Sequence, residues 1–365
     1  ANQVNDTLEQ IFGTNGNENV LTDTDATCVA NLIVGAPMTV QNGANWNGAS
    51  GTVVLLQNQN YTGTTVVNRS STLDFRGTLT TSSMNVYGTV NVAGEKGTFI
   101  NPNTNVNIPV TLRPGATLRF DNNSGVLPIT ATEGRWGDTT PIALNNSILR
   151  LQGNTGVEVV ETVGAISASG GTNQIQIVRG VIGRGTELRS PSLTRVGNST
   201  IQFTHNGSQL GSDERLILTT APTVTNGMVE PWMISASDVQ FLTYNADTGF
   251  TIAGFDRVQA AATLAASVAA PTERTFFSGN VVLGGSSDFS TYALRLDGNV
   301  TLGTATNDTS TGNRLILGSG GLISNGTRTI TAGIWAGAGG TSELILYNNG
   351  TTAIGDLSNV NTAGQ

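Results

Sequence analysis

Gly51-Thr-Val-Val-Leu-Leu-Gln-Asn-Gln-Asn-Tyr-Thr-Gly-Thr-Thr-Val-Val-Asn68 decides how this chain is read. Two β-rich runs, Thr52–Leu56 and Thr64–Val67, flank a polar corner, Asn58-Gln-Asn-Tyr-Thr-Gly63. A third run opens at Thr72. Degenerate echoes follow at Gly77-Thr-Leu-Thr, Gly88-Thr-Val-Asn-Val, Gly97-Thr-Phe-Ile and Gly115-Ala-Thr-Leu-Arg-Phe. Gly permits the corner, Thr and Val stiffen the strand, and the cycle restarts about every ten residues. Short strands on that rhythm predict successive walls of a coil.

Composition points the same way. The chain has 365 residues, long enough to bury a continuous core, and 46 of them are Gly. Only 12% are charged, where an ordinary globular domain has about a quarter. The hydrophobic share of 38% is too high for a disordered tract. Net charge is −8 and the pI is near 4.7. The 17 cationic residues, of which Lys96 is the sole lysine, are scattered singly. A nucleic-acid partner, which demands a basic stripe, is therefore not expected.

A lone cysteine, Cys28, excludes an internal disulfide framework. It reads as a small buried apolar residue, with a bridge between secreted copies as the alternative. No apolar run reaches the roughly 18–20 residues of a membrane helix. The start, Ala1-Asn-Gln-Val-Asn, would fit a chain trimmed after export.

Residues 1–33 read as an N-terminal arm or cap, with Leu8, Ile11 and Phe12 at helical spacing before a Gly-rich break. Residues 34–365 read as the coil. Half-buried strands are expected at Ser147–Leu151, Gln174–Val178, Thr200–Phe203, Arg215–Thr219, Tyr292–Leu296, Arg314–Leu317 and Glu343–Tyr347, where apolar and polar residues alternate. An irregular aromatic insertion is expected near residues 226–256. In Arg257–Ala270 the Ala content favours a helix, whereas the Gly- and Thr-rich context favours strand. At roughly 20–25 residues per coil and ~4.8 Å per coil, about 14–16 coils make a rod on the order of 70 Å. Its two ends expose unpaired backbone groups.

Residues 51–73 resemble the autotransporter-associated β-strand repeat, in which a Gly-Thr-Leu strand turns through an Asn-Thr-Tyr-Thr-Gly corner. Here the corner is Asn60-Tyr-Thr-Gly63, followed by Thr64-Thr-Val-Val-Asn68, and the next strand begins at Ser71 rather than Gly. Arg135-Trp-Gly-Asp-Thr-Thr-Pro-Ile-Ala-Leu, Glu161-Thr-Val-Gly-Ala-Ile, Pro191-Ser-Leu-Thr-Arg195, Asn226-Gly-Met-Val-Glu-Pro-Trp232, Gly320-Gly-Leu-Ile-Ser324 and Glu343-Leu-Ile-Leu-Tyr are similar to segments of giant bacterial β-helical surface proteins. The resemblance covers roughly residues 50–350. It implies a right-handed parallel β-helix at a bacterial cell surface, passenger-like, with structural or adhesive roles and no catalytic residues to carry over. No ten-residue amphipathic strands with aromatic girdles suggest the terminal membrane barrel of that family.

Candidate chemistry is thin. Asp213-Glu214-Arg215 and the Asp23/Asp25 pair are the close acidic groupings, and both read as solvated corners. His205 is the only histidine, placed at a strand end. Asp247 in Asn245-Ala-Asp-Thr-Gly249 lacks the acidic repeat of a calcium site. One Cys and one His do not make a zinc site. The tryptophans at 46, 136, 232 and 335 are scattered. Asn-x-Ser/Thr sequons, Asn68, Asn122, Asn198 and Asn206 among them, follow from an Asn- and Thr-rich chain.

The expectation is thus an all-β chain, a single right-handed parallel β-helix (β-solenoid) with little helix. It is read as a secreted, extracellular structural protein, the subunit of a fibre or surface layer, without catalytic, cofactor or metal residues. Its partners are copies of itself, engaged through β-edges or the N-terminal arm, and surface glycans. The alternatives are an adhesin segment, or a carbohydrate-active β-helix enzyme or tailspike. A third reading, a sugar- or ice-binding wall, requires Thr at matching positions on successive coils.

Overall fold

The computed structural model describes residues 19–21, 32–34, 51–58, 64–79, 83–99, 110–123, 134–207, 209–284, 287–302, 314–337 and 343–359. The helical spacing at Leu8–Phe12, the Asp23/Asp25 pair, Cys28, Trp46 and the Asn60–Gly63 corner lie outside them. The chain is all-β with mainly parallel sheets, and no helix occurs among the described residues. It divides into two compact units, residues 1–222 with 245–251, and residues 223–244 with 252–365.

The first unit is built on three parallel sheets that the chain visits in rotation. Ile142–Asn145 lies in one, Ile148–Gln152 in the next and Val159–Thr162 in the third. Ile166–Ser169, Thr172–Val178 and Thr186–Ser190 repeat the order, and Leu193–Val196, Thr200–His205 and Glu214–Leu218 repeat it again. Within the predicted arm, Asn19–Leu21 already pairs in parallel with Val53–Leu55, and Leu32–Val34 with Thr65–Val67.

Parallel pairing in a constant register stacks like on like. Val53, Leu73, Val90, Leu118, Leu149, Ile175 and Phe203 form one inward column. Two residues on, Leu55, Phe75, Val92, Phe120, Leu151 and Ile177 form the next. Both columns are buried. Outward positions are freer. Thr52, Thr72, Thr89 and Thr117 make a threonine column that ends at Ile148. The adjacent outward column runs Val54, Asp74, Asn91, Arg119, Arg150, Gln176 and changes chemistry at nearly every strand. A surface matched to a lattice needs that second column to repeat as well, and it does not.

The Gly-Thr echoes have a packing reason. A Cβ on Gly88 would lie 2.2 Å from the Asn68 carbonyl oxygen and 2.3 Å from that of Ser71. The corner backbone therefore rests directly on the preceding corner, and a side chain has no room there. The same crowding meets Gly77 against Gln57.

Trp136 lies beside the short paired strands Thr78–Leu79 and Thr98–Phe99. It bridges to Phe99, stacks on it with ring centroids 4.3 Å apart, and lies 5.3 Å from the Phe120 ring. Phe250 packs on Phe203 at 4.8 Å, within the same unit.

The second unit has a parallel sheet whose order runs Arg257–Gln259, Val268–Phe277, Phe289–Leu296, Arg314–Asn325, Arg328–Ala336, Val300–Leu302, Val281–Leu283, Ala262–Leu264. Its two edge strands are neighbours in sequence, so the sheet curls into a nearly closed barrel. The long strands bend at bulges. Val268–Phe277 shifts register between Ala270 and Arg274, across Pro271, whose missing N–H suits such a site. Phe277, Phe289, Leu294, Leu315, Leu322 and Ile330 lead the core inside. In the aromatic segment, Ile234 pairs antiparallel with Phe241 around a turn in which Val239 takes φ 54°. Met228, Ile234 and Phe241 pack with Ala293 and Ile323. The Ala-rich run is strand: Arg257–Gln259, Ala262–Leu264 and Val268–Phe277. Ladder pairing with Phe289–Leu296 and Val281–Leu283 outweighs the helix preference of alanine.

One strand tests the two-sided reading. Phe120 is buried against Trp136, whereas Thr117 on the same strand faces outward. Phe120→Ala is expected to cost about 3–5 kcal/mol, and Thr117→Ala within about 0.5 kcal/mol of zero. Denaturant midpoints for both variants check this; equal effects would contradict the assigned faces.

Candidate functional site

Two buried carboxylates stand out, both on the third sheet of the first unit. Glu161 lies on Val159–Thr162 and is 1% exposed. Its Oε1 accepts the Arg135 N–H at 3.0 Å and the Trp136 N–H at 2.8 Å. Its Oε2 also accepts from Arg135, at 2.8 Å. On the opposite side, the Arg135 carbonyl accepts the Phe99 N–H at 2.7 Å. The Gly134–Trp136 segment thus sits between a strand and a side chain, and Glu161 supplies the acceptors that a neighbouring strand would have given. Gly134, at φ 56°, leaves the space: a Cβ there would come within 2.7 Å of Glu161 Oε1.

Arg135 is buried with it. Its Nε donates to Asn122 Oδ1 at 2.6 Å and its Nη1 to the Gly97 carbonyl at 3.1 Å. Asn154 Nδ2 donates to the Asn122 carbonyl at 2.7 Å. Burial pulls the guanidinium down to about 10, opposed by the Glu161 charge. Burial pushes the Glu161 carboxyl up to about 8, against the N–H groups of Arg135 and Trp136. A protonated Oε2 leaves Oε1 accepting from both residues, so the corner remains bonded in the neutral form.

Glu214 repeats the device. It opens Glu214–Leu218 and is fully buried. Its Oε1 accepts the N–H of Arg179 at 3.0 Å and of Asn206 at 3.0 Å; its Oε2 accepts that of Gly207 at 2.8 Å. A Cβ on Gly207 would fall 2.0 Å from Oε2. His205 ends the inward column after Ile177, and its Nδ1 lies 3.8 Å from Glu214 Oε2 with the side chain 3% exposed. The structure therefore brings together His205 and Glu214, nine positions apart in sequence. Asp213 turns outward: its Oδ2 takes the Arg179 Nη1 at 2.7 Å and the Gly183 N–H at 3.1 Å. Those two donors, Gly183 first, hold its carboxyl below the usual range. Arg215 reaches Glu187 at 3.0 Å.

This arrangement fastens corners. The oxygens of Glu161 and Glu214 face backbone N–H groups, so neither carboxylate is directed at an open groove where a substrate proton would be exchanged. The solvated-corner expectation holds for Asp213 and fails for Glu214. Glu161 was missed: alone between Val160 and Thr162 it reads as solvent-facing. Its parity with Val159 and Val163, both buried, was the available signal.

The remaining candidates are dispersed. Asp247 donates its N–H to Asn245 Oδ1 at 2.8 Å in an exposed turn. Among the described residues no cluster of three His, Cys, Asp or Glu could hold a metal ion. Trp232 donates to Glu230 at 2.6 Å, and Trp335 lies under the Arg314 guanidinium at 4.2 Å. Asn122 is 2% exposed and bound by Arg135, so its sequon is closed in the folded chain, whereas Asn198 and Asn206 are exposed.

The pH consequence of Glu161 has a definite sign. The folded state keeps a proton that the unfolded state loses near 4.5. Its contribution to stability is full below that pH and falls as pH rises towards about 8. The decline is on the order of a few kcal/mol. In Glu161→Gln the amide oxygen keeps both N–H partners without titrating, so its stability is expected to fall less between pH 5 and pH 9. Paired denaturation curves of the two proteins check this; parallel declines would remove Glu161 as the cause.

The chain matches no protein-family model, and neither a curated protein nor a solved structure is found to be similar to it.

Proposed function

We propose that the chain is the β-helical subunit of an extracellular bacterial fibre or surface layer, a structural protein whose copies add to one another through an open β-edge. The rotation of the first unit through three parallel sheets supports a right-handed parallel β-helix there, the hand that parallel crossovers favour. The likeness of residues 51–73 to the autotransporter-associated repeat supports a bacterial surface setting.

The observation that carries the reading is the last layer of the second unit. Ile345–Asn349 pairs with Gly321–Asn325, and Thr352–Asn359 with Arg328–Ala336. Among the described residues each has a ladder partner on one side only. Among the described residues no apolar side chain covers that layer on its far side. Leu346 stacks on Leu322, yet Leu322 is 0% exposed and Leu346 is 39% exposed. Unpaired N–H and C=O groups beside an uncovered apolar layer are a template for another β-strand. A second copy would satisfy both at once.

Negative-stain microscopy and sizing chromatography over a concentration series test the proposal. Concentration-dependent assemblies are expected for the unaltered chain. Leu346→Lys, which places a charge in that layer at a surface position of small folding cost, is expected to remain monomeric at concentrations where the parent assembles. Monomers at every concentration would overturn the reading. Assembly unchanged by Leu346→Lys would move the contact away from this edge.

A further inference from the structure

We infer that the outward face of the sheet carrying Thr117–Asp121 and Ile148–Gln152 binds an acidic polysaccharide, with Arg119 and Arg150 as the anion-holding pair. Arg119 and Arg150 are register partners on adjacent parallel strands, which stand about 4.8 Å apart. Two guanidinium stems rooted that close repel each other. Among the described residues only one of them has a carboxylate partner: Arg119 Nη2 meets Asp121 Oδ2 at 2.9 Å. Arg150 Nη2 donates instead to the neutral Gln152 Oε1, at 2.8 Å. The Nε–H of each arginine is shielded from solvent and has no acceptor among the described residues. The pair therefore presents an uncompensated positive charge on a chain whose net charge is −8. Burial first, and then the neighbouring charge of Arg119, lower the Arg150 guanidinium from its ordinary value, opposed by the charge of Asp121.

The surroundings specify what kind of anion fits. The same outward columns hold Asn91 on one side of the pair, Gln174 and Gln176 on the other, and Thr117 beside Arg119. Nearby Asp74 is already paired with Arg76 at 3.0 Å. The face therefore offers amides and hydroxyls along the direction in which strands stack, and one excess cation among them. An extended, hydroxyl-rich polymer bearing carboxylates or sulfates suits it: the anion takes the guanidinium forks, and sugar hydroxyls take the amides. The Thr column adds hydroxyl groups on the flank of that track. A neutral glycan would leave the charge unmet.

Isothermal titration of the full chain tests this, with polygalacturonate as the probe. Galacturonic acid monomer and inorganic sulfate test for a small-anion site, neutral dextran for charge-independent binding, and single-stranded DNA for a general polyanion. Salt-sensitive binding of polygalacturonate is expected, weakened about tenfold or more by Arg150→Gln and by Arg119→Gln, as loss of a charged hydrogen bond implies. Arg215→Gln, on another sheet, is expected to leave it unchanged. Melting curves establish that each variant is folded. Sulfate or monomer binding as tightly as the polymer would reduce the site to an adventitious ion only. Preference for DNA, equal binding of dextran, or no binding of polygalacturonate would each overturn the inference.

Discussion

The first unit depends on the constant register of its parallel ladders. Once Thr72 stands opposite Thr89 and Leu73 opposite Val90, every residue two positions along is also placed, and each strand inherits the facing of the one before it. A one-residue slip would turn Leu118 and Phe120 out and bring Arg119 into the core. Inward columns are consequently held to apolar residues of compatible volume. Outward columns are free to drift from Thr to Asn to Arg to Gln within a few strands, as they do.

Register alone does not satisfy the corners, where strands end and backbone N–H groups lose their partners. Side-chain oxygens replace the missing carbonyls. Asn58 Oδ1 accepts the Thr78 N–H at 2.9 Å, Asn173 that of Ser147 at 3.2 Å, Asn280 that of Asn299 at 2.9 Å, and Asn299 that of Thr329 at 3.0 Å. Glu161 and Glu214 are the carboxylate form of the same solution. An unpaired buried N–H costs about 1–3 kcal/mol, so each such residue contributes out of proportion to its surface. The abundance of Asn has this bonding role, beyond the left-handed backbone expected of it: only Asn146 and Asn226 among the described asparagines take positive φ.

The strands were legible because period-two alternation is a local signal. The runs expected at Ser147, Gln174, Thr200 and Arg215 appear as Ile148–Gln152, Thr172–Val178, Thr200–His205 and Glu214–Leu218. What lies across a corner was not legible. His205 and Glu214 belong to different sheets, and although Asn206-Gly207 signals a corner, nothing in the intervening residues states which side chains that corner brings together. The Ala-rich run was ambiguous for the same reason. Its helix preference is local, whereas the ladder partners that make it strand lie at Val281–Leu283 and Phe289–Leu296.

The register that builds the core also creates the features to which function is assigned here. A ladder repeats whatever it is given. Inward, it stacks leucine on leucine until the last layer, where Leu346 has Leu322 beneath it and no described strand above. Outward, it sets Arg150 against Arg119 with no freedom for either strand to slide away. In a fold with loose registry both liabilities would relax, one by collapse of the end and the other by separation of the charges. Here the ladder fixes all residues of a strand together, so the relief we propose comes from outside the chain: another apolar β-layer for the end, an anion for the pair.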